Sequence, residues 1–357
     1  MTKAAELANL IGNINAGGGG VNRNLVINGA MNLSQRHGTS SVQLSATEQY
    51  LTDRFFNDSG SSYDMKADAV QSTDAPSGFS NSLKLSCDGV SSLSSGSNGG
   101  ISQLIEGQNC QTLAFGTSDA KAVTLSFYAK SSSQNSGHTY GIMLGAFLNG
   151  TRNIQTRSFT VTSSWQRFTM TFQPNSLVTS TGINDDNNSG MQVFFSLAGG
   201  SSDLQNYSVW TNSQSLSGFT GQDNFFDNTS NEFFLTGVQL EIGQNPTEFE
   251  HEPFERTLAK CQRYYFEPQD MLSNRYGIWQ GQNSNGSNFN HTFFLPVPMR
   301  ARPTALTIAD APSDASFDET SGVVSTMSEQ SGRVQFTSNA TSATSYYYYS
   351  ITADAEL

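Results

Sequence analysis

Stretches along this chain alternate apolar with polar residues at a period of two, and each covers only one face. Val123, Leu125 and Phe127 form one such set, Phe168, Met170 and Phe172 a second, and Met191, Val193, Phe195 and Leu197 a third. A strand with one apolar side is stable only against another apolar layer, so the chain has to stack sheets. Further runs such as "NSLKLSC" and "YGIMLGAFLNG" stand between loops rich in Ser, Gly and Asn. The cleanest, "FFLTGVQLEIGQNPTEFE" from Phe233, puts Phe234, Thr236, Val238, Leu240 and Ile242 on one face and Gln239 and Glu241 on the other. Gly243, Asn245 and Pro246 end it, and Pro253 opens a short helix carrying Phe254, Leu258 and Cys261 on one side.

The expected fold is all-β. An antiparallel jelly-roll sandwich over residues 21–250 is followed by a linking helix at 251–265 and a smaller β-sandwich at 266–357. The last segment holds "YGIWQGQ", "NHTFFLPVPM", "TALTIAD", "GRVQFTS" and "SYYYYSITA". Pro296 and Pro298 lack ladder N–H groups, which puts "FFLPVPM" at a sheet edge or strand end. At the other terminus, Leu7, Leu10, Ile11 and Ile14 fall on one face of a short helix, and Gly17–Gly20 follow as a hinge, so residues 1–20 read as an attachment arm. A helix this short needs a partner surface to be stable.

Composition narrows the function. A net charge of −12, with 18 basic against 30 acidic residues, opposes binding to nucleic acid. No apolar run reaches the roughly 18 residues of a membrane-spanning helix, so membrane insertion is not expected. The N-terminus lacks the pattern of a secretory signal, so synthesis in a cytoplasm is expected. Cys87, Cys110 and Cys261, an odd and scattered set, read as buried free thiols.

Catalytic patterns are weak. "HEPFE" at His251–Glu255 lacks the second histidine of a zinc-binding helix, with Glu255 in its place and Pro253 inside the turn. "NDDNNSG" at Asn184–Gly190 offers Asp186 and Asn188 to a hard cation, but Leu197 stands where a closing carboxylate belongs, so it reads as a solvated turn. Asp223, Asp227 and Glu241 cannot be paired for glycoside hydrolysis from sequence. No metal, cofactor or catalytic group is therefore expected. Aromatic rings beside Asn, Gln and Ser suit sugar faces and hydroxyls, and two candidate platforms carry them, Trp210 with Tyr207 and Trp279 with Tyr276. Trp165, in "SSWQRFTMTF", reads as structural.

"NLVINGAMNLSQR", "LSFYAKSS", "WQRFTMTF", "FFLTGVQLEIGQNPTEFEHEPFERTLAKCQRYY" and "LPVPMRARPT", in this order over most of residues 22–304, resemble a module shared by tail-fibre and other virion structural proteins of bacteriophages. The resemblance implies a jelly-roll similar to carbohydrate-binding modules, assembly in a virion, commonly as a homotrimer, and contact with host surface glycans in some relatives; it does not imply an enzyme, and none is expected. The expected function is thus a virion structural protein, a trimeric tail fibre or similar appendage made in the host cytoplasm and held to other virion proteins through Leu7, Leu10, Ile11 and Ile14. A capsid-decorating or tail-connecting protein is the first alternative, and a glycan-cleaving tail enzyme the second.

Overall fold

The computed structural model describes residues 3, 23–60, 63–213, 215, 217–267, 277–283, 288–303, 305–312, 323–337 and 342–357. Within these it describes the backbone alone at 179, 277–283, 288–289, 305–312, 323–326, 336–337 and 342–350. The helix expected around Leu7, Leu10, Ile11 and Ile14 lies outside the described residues. The chain divides into two compact units, residues 1–253 with Leu357, and residues 254–356.

The first unit is built from β1 (Val42–Gln43), β2 (Tyr50–Thr52), β3 (Phe55–Gly60), β4 (Ala67–Ser72), β5 (Ser82–Cys87), β6 (Asn98–Glu106) and β7 (Val123–Ser131). It continues with β8 (Thr139–Leu148), β9 (Thr151–Thr160), β10 (Gln166–Phe172), β11 (Ser189–Gly199), β12 (Thr211–Asn212) and β13 (Glu232–Ile242). These strands form two antiparallel sheets, a six-stranded one in the order β1-β4-β5-β13-β7-β10 and a seven-stranded one in the order β12-β9-β8-β11-β6-β3-β2. The chain passes back and forth between the two sheets as single strands or pairs of strands, so the one-sided runs end up facing each other across a single core. Val123, Leu125 and Phe127 from one sheet and Met191, Val193, Phe195 and Leu197 from the other are completely buried there, with Phe172. Phe168 and Met170, on the edge strand β10, pack against it half-buried.

Strand β13 departs from the expected alternation. Its pairing with β7 slips between Thr236 and Gln239, where Gly237 adopts a φ of +62°. The bulge resets the parity, because one extra residue on one strand moves everything before it to the opposite face. Phe233 and Leu235 therefore enter the core with Val238, Leu240 and Ile242. Phe234 and Thr236, expected on the core side, face outward.

The motif "NLVINGAMNLSQR" locks onto this bulge. Leu25 N–H donates to the Leu240 carbonyl and Val238 N–H donates to the Gly29 carbonyl, both at 2.9 Å. Asn24 Oδ1 accepts from the N–H groups of Val26 and Leu240 at 3.0 Å each, while its Nδ2 donates to the Val238 carbonyl at 3.0 Å. At Gly29 any Cβ would lie 2.1 Å from the Val238 oxygen, so no other residue fits. Further along, Asn28 in left-handed conformation donates from Nδ2 to the Leu33 and Asp53 carbonyls, and Gln35 donates from backbone and side chain to the Asp53 carboxylate. Burial pushes the Asp53 pKa up in spite of those donors.

The second unit opens with α1 (Phe254–Gln262), followed by β14 (Tyr265–Phe266), β15 (Gly277–Asn283), β16 (Asn288–Phe294), β17 (Ala305–Pro312), β18 (Val323–Met327), β19 (Ser331–Thr337) and β20 (Ser342–Asp354). Strands β14, β15 and β17 pair with β20, and β16-β19-β18 form a separate sheet. Strand β16 stops at Phe294 and is an edge, so Pro296 and Pro298 lie beyond the ladder. Helix α1 buries Cys261 but leaves Phe254 59% exposed, so the expected apolar stripe is incomplete at its first turn. No helix among the described residues is long and apolar enough to cross a membrane.

Replacing Asn24 with Ala strands two N–H groups and one carbonyl in partly buried positions, and about 2–4 kcal/mol of stability should be lost. Urea unfolding of the full chain should show the midpoint fall with an unchanged slope, and Asn24→Asp, which keeps the acceptor, should lose less. A wild-type midpoint in Asn24→Ala would exclude this latch.

Candidate functional site

The outer face of the six-stranded sheet carries a row of rings and cations created by the bulge. Register places Lys84 of β5, Phe234 of β13 and Lys130 of β7 side by side. The Lys130 amine lies 4.6 Å and the Lys84 amine 5.3 Å from the Phe234 ring centre, and Lys130 also sits 5.5 Å from the ring of Trp165. Trp165 meets Phe234 edge-on at 6.2 Å. Such spacings are those of cation–π contacts, and the lysine stems shield a phenyl ring that would otherwise be open to water. Acids hold the lysines in place: Lys84 pairs with Glu232 at 2.6 Å, and Lys130 pairs with Asp74, whose other oxygen accepts from the Trp165 indole N–H at 3.1 Å. Slight burial pushes the Asp74 pKa up, but hydrogen bonds from Lys130 and Trp165 outweigh it and leave the carboxyl below the usual range.

One row further along the strands, Thr236, Tyr128 and Arg167 lie side by side. Phe79 packs on Tyr128 at 5.3 Å, on Phe249 at 5.0 Å and on His251 at 5.1 Å, and the Arg167 guanidinium stands 6.0 Å from the Tyr128 ring. The glycine of the bulge is required here for a second reason. A Cβ on Gly237 would lie 2.8 Å from both Phe79 Cζ and Tyr128 Cδ2, so the rings rest directly on bare backbone.

The segment after β13 explains why that strand ends where it does. Glu241 accepts from the N–H and hydroxyl of Thr247, Glu250 N–H donates to Gln239 Oε1 at 2.8 Å, and Glu250 Oε2 accepts from the N–H groups of Arg23 and Asn24 at 2.6 and 2.9 Å. The chain turns at Gly243 and runs back over Gln239 and Glu241, covering the polar end of the face. The ring-bearing end stays accessible, with Trp165, Tyr128, Phe79 and Phe249 half-buried and His251 exposed.

The candidates read from sequence fare differently. Trp210 is no platform: it is 4% exposed, packs against Phe115 and Phe172, and donates from its indole N–H to the Gln173 carbonyl at 2.8 Å. Tyr207 sits apart from it, half-buried against Met143, Ile154 and Phe194 on the outside of the seven-stranded sheet, so the two rings share no surface. Trp279 lies in β15 opposite Tyr347, without its side chain described, and Tyr276 lies outside the described residues. The missed residue is Trp165. Its parity with Arg167 and Thr169, opposite to Phe168, Met170 and Phe172, was the available signal that it faces outward.

Catalytic alternatives find little support. Asp223 accepts from Thr139 N–H, Asp227 from the Asn231 amide, and Glu241 is buried among the donors named above. Asp186 accepts from the backbone and side chain of Asn188, which closes the "NDDNNSG" turn on itself. Among the described residues no three His, Cys, Asp or Glu side chains are grouped to hold a metal ion. The three cysteines are buried free thiols, and burial, reinforced by Glu106, pushes Cys110 up to about 12.

The fold of the first unit defines its class: a two-sheet antiparallel β-sandwich of jelly-roll type. No protein-family model matches the sequence, and no curated protein does. Among solved structures, the chain is similar to a putative sugar binding protein from Bacteroides thetaiotaomicron, at 11% identity and a TM-score of 0.34, over 62% of this chain and 100% of that one. It is also similar to the CBM22-1 xylan-binding domain of a Paenibacillus barcinonensis protein (8% identity, TM-score 0.29, 59% of this chain and 99% of that one). A family 11 carbohydrate-binding module of a Clostridium thermocellum cellulase is a third such structure (15% identity, TM-score 0.29, again 59% and 99%).

Two outcomes follow from this face. Because the folded pKa of Asp74 is depressed, the stabilisation it contributes is complete above the ordinary carboxylate pKa and disappears as pH falls through the lower folded value. The Trp165 fluorescence, taken as the difference between wild type and Trp165→Phe, should stay constant from pH 7 to about 4 and change only below that. Asp74→Asn should abolish the acid step. Gly237→Ala should cost about 2 kcal/mol or more from left-handed strain and displaced rings, visible as a lower melting temperature and an altered near-ultraviolet dichroism.

Proposed function

We propose that this chain is a virion structural protein of the bacteriophage tail-fibre kind, and that the outer face of its six-stranded sheet binds a host surface glycan. The observation that carries the reading is the set of half-buried rings Trp165, Tyr128, Phe79 and Phe249, which stand beside the buried Phe234 and its two lysines, Lys130 and Lys84. Rings of this kind offer apolar area to the CH faces of sugars, while the flanking amines, carboxylates and hydroxyls match their polar edges. The rings are fixed in advance by register, by ion pairs and by the glycine bulge, which lowers the entropic cost of binding. The role proposed for this face is adhesive and mechanical.

The virion assignment draws on the motifs between residues 22 and 304, and the N-terminal stripe of Leu7, Leu10, Ile11 and Ile14 is the proposed attachment to other virion proteins. Assembly as a homotrimer fits the same reading, since three copies turn a weak single contact into firm adhesion.

Immobilised lipopolysaccharide, capsular polysaccharide and teichoic acid provide the test. The full chain should be retained by at least one, and Trp165→Ala and Tyr128→Ala should each weaken retention about tenfold, or roughly 1.4 kcal/mol, at a temperature where both variants are fully folded. Unaltered retention of both variants would sink the face as the binding site. Antibody labelling of purified particles checks the location, and native mass measurement checks the trimer.

A further inference from the structure

The geometry points to a second, separate binding site in the first unit, a pocket for a single uncharged sugar ring at the β8–β9 hairpin. A cavity of about 280 Å³ opens there, with Leu148 as an apolar element of its lining. Its rim carries three amides, Asn149, Asn153 and Asn212, and three hydroxyls, Thr151, Ser180 and Thr181. None of the described lining residues is charged, in a chain whose net charge is −12. The size stands at the lower end of the roughly 300–1,000 Å³ of small-molecule pockets, which suits one ring and not a chain of them.

The chemistry is that of a polyol site. Amides and hydroxyls both donate and accept, which is what adjacent sugar hydroxyls need, while the Leu148 side chain is buried in the core beneath and holds the wall in place. Among the described residues, the side chains of Asn149, Thr151, Thr181 and Asn212 take part in no hydrogen bond, so their capacity is available to a ligand. An acidic sugar would find no cation to offset the cost of desolvating its carboxylate.

The walls are fixed by backbone. Asn149 and Gly150 take φ values of 47° and 76°, a left-handed two-residue turn that closes the hairpin. Asn149 N–H donates to the Gly182 carbonyl at 3.0 Å, Leu148 bridges Ile183, and Asn212 pairs with Asn153 where β12 joins β9. Trp210, immediately before β12, anchors that wall from inside the core, and its carbonyl accepts from the Ser176 hydroxyl at 2.9 Å. The site stands independently of the aromatic face, whose rings take no part in it.

Saturation-transfer NMR on the full chain with glucose, galactose, mannose and N-acetylglucosamine, and glucuronic acid as the charged control, tests the inference. At least one neutral sugar should bind saturably in the millimolar range, with glucuronic acid at least tenfold weaker. Asn212→Ala, and Asn149→Gly, which keeps the turn conformation, should each weaken it fivefold or more, while Trp165→Ala should leave it unchanged. Absence of saturable binding by all four neutral sugars overturns the pocket, as does binding that survives both Asn substitutions. Binding abolished by Trp165→Ala instead would assign the sugar to the aromatic face and also overturn the pocket.

Discussion

One residue without a side chain, Gly237, sets the arrangement of the first unit. Its left-handed conformation inserts the bulge in β13, the strand paired to β5 on one side and β7 on the other. Before the bulge Phe233 and Leu235 point into the core; after it Val238, Leu240 and Ile242 do so, and the face between is released to carry Phe234 and Thr236 outward. The same absence of a Cβ lets Phe79 and Tyr128 lie against the strand. Core and candidate site are therefore consequences of a single backbone irregularity.

The most distinctive strings in the sequence turn out to serve this strand. Asn24 and Gly29 bond the bulge from one side, and Glu241, Thr247 and Glu250 fold the following segment back over the other, with Glu250 returning to the N–H groups of Arg23 and Asn24. Residues more than 220 positions apart in the chain are joined in one network. A motif of this kind specifies how the sandwich closes, and it carries no chemistry toward a ligand. The candidate-site residues lie within the same strings at the outward pleat positions, Trp165 and Tyr128 by ordinary alternation and Phe234 because of the bulge.

How much the sequence disclosed follows the same division. Period-two alternation identified the inward sets of β7, β10 and β11 because those strands are regular. It failed at Phe234, because a bulge resets parity and a glycine in a strand signals one only ambiguously. It would have succeeded at Trp165, whose parity is that of Arg167 and Thr169. Trp210 was misread for the opposite reason: amide-rich neighbours such as Asn212 make a segment look exposed, yet the indole turns inward and finds the Gln173 carbonyl. Composition reports what surrounds a residue in the chain, and burial depends on what surrounds it in space.

The two outer faces of the sandwich are finished in different ways. On the seven-stranded sheet, Met143, Ile154 and Phe194 are capped by Tyr207. Beside them Asp58 accepts from Ser102 and Gln192, and Gln192 in turn accepts from Arg152 at 2.9 Å. Burial pushes the Asp58 pKa up and the Arg152 pKa down, while the hydrogen bonds and mutual attraction oppose both shifts, as befits charges enclosed by their own partners. That network answers its own hydrogen-bonding needs and leaves little for a ligand. On the six-stranded sheet the lysines are paired at their tips, Phe234 is buried beneath them, and the Trp165 ring remains half-open. On the six-stranded face the half-buried rings of Trp165, Tyr128, Phe79 and Phe249 lie together, and this clustering is the physical basis for the recognition proposed there.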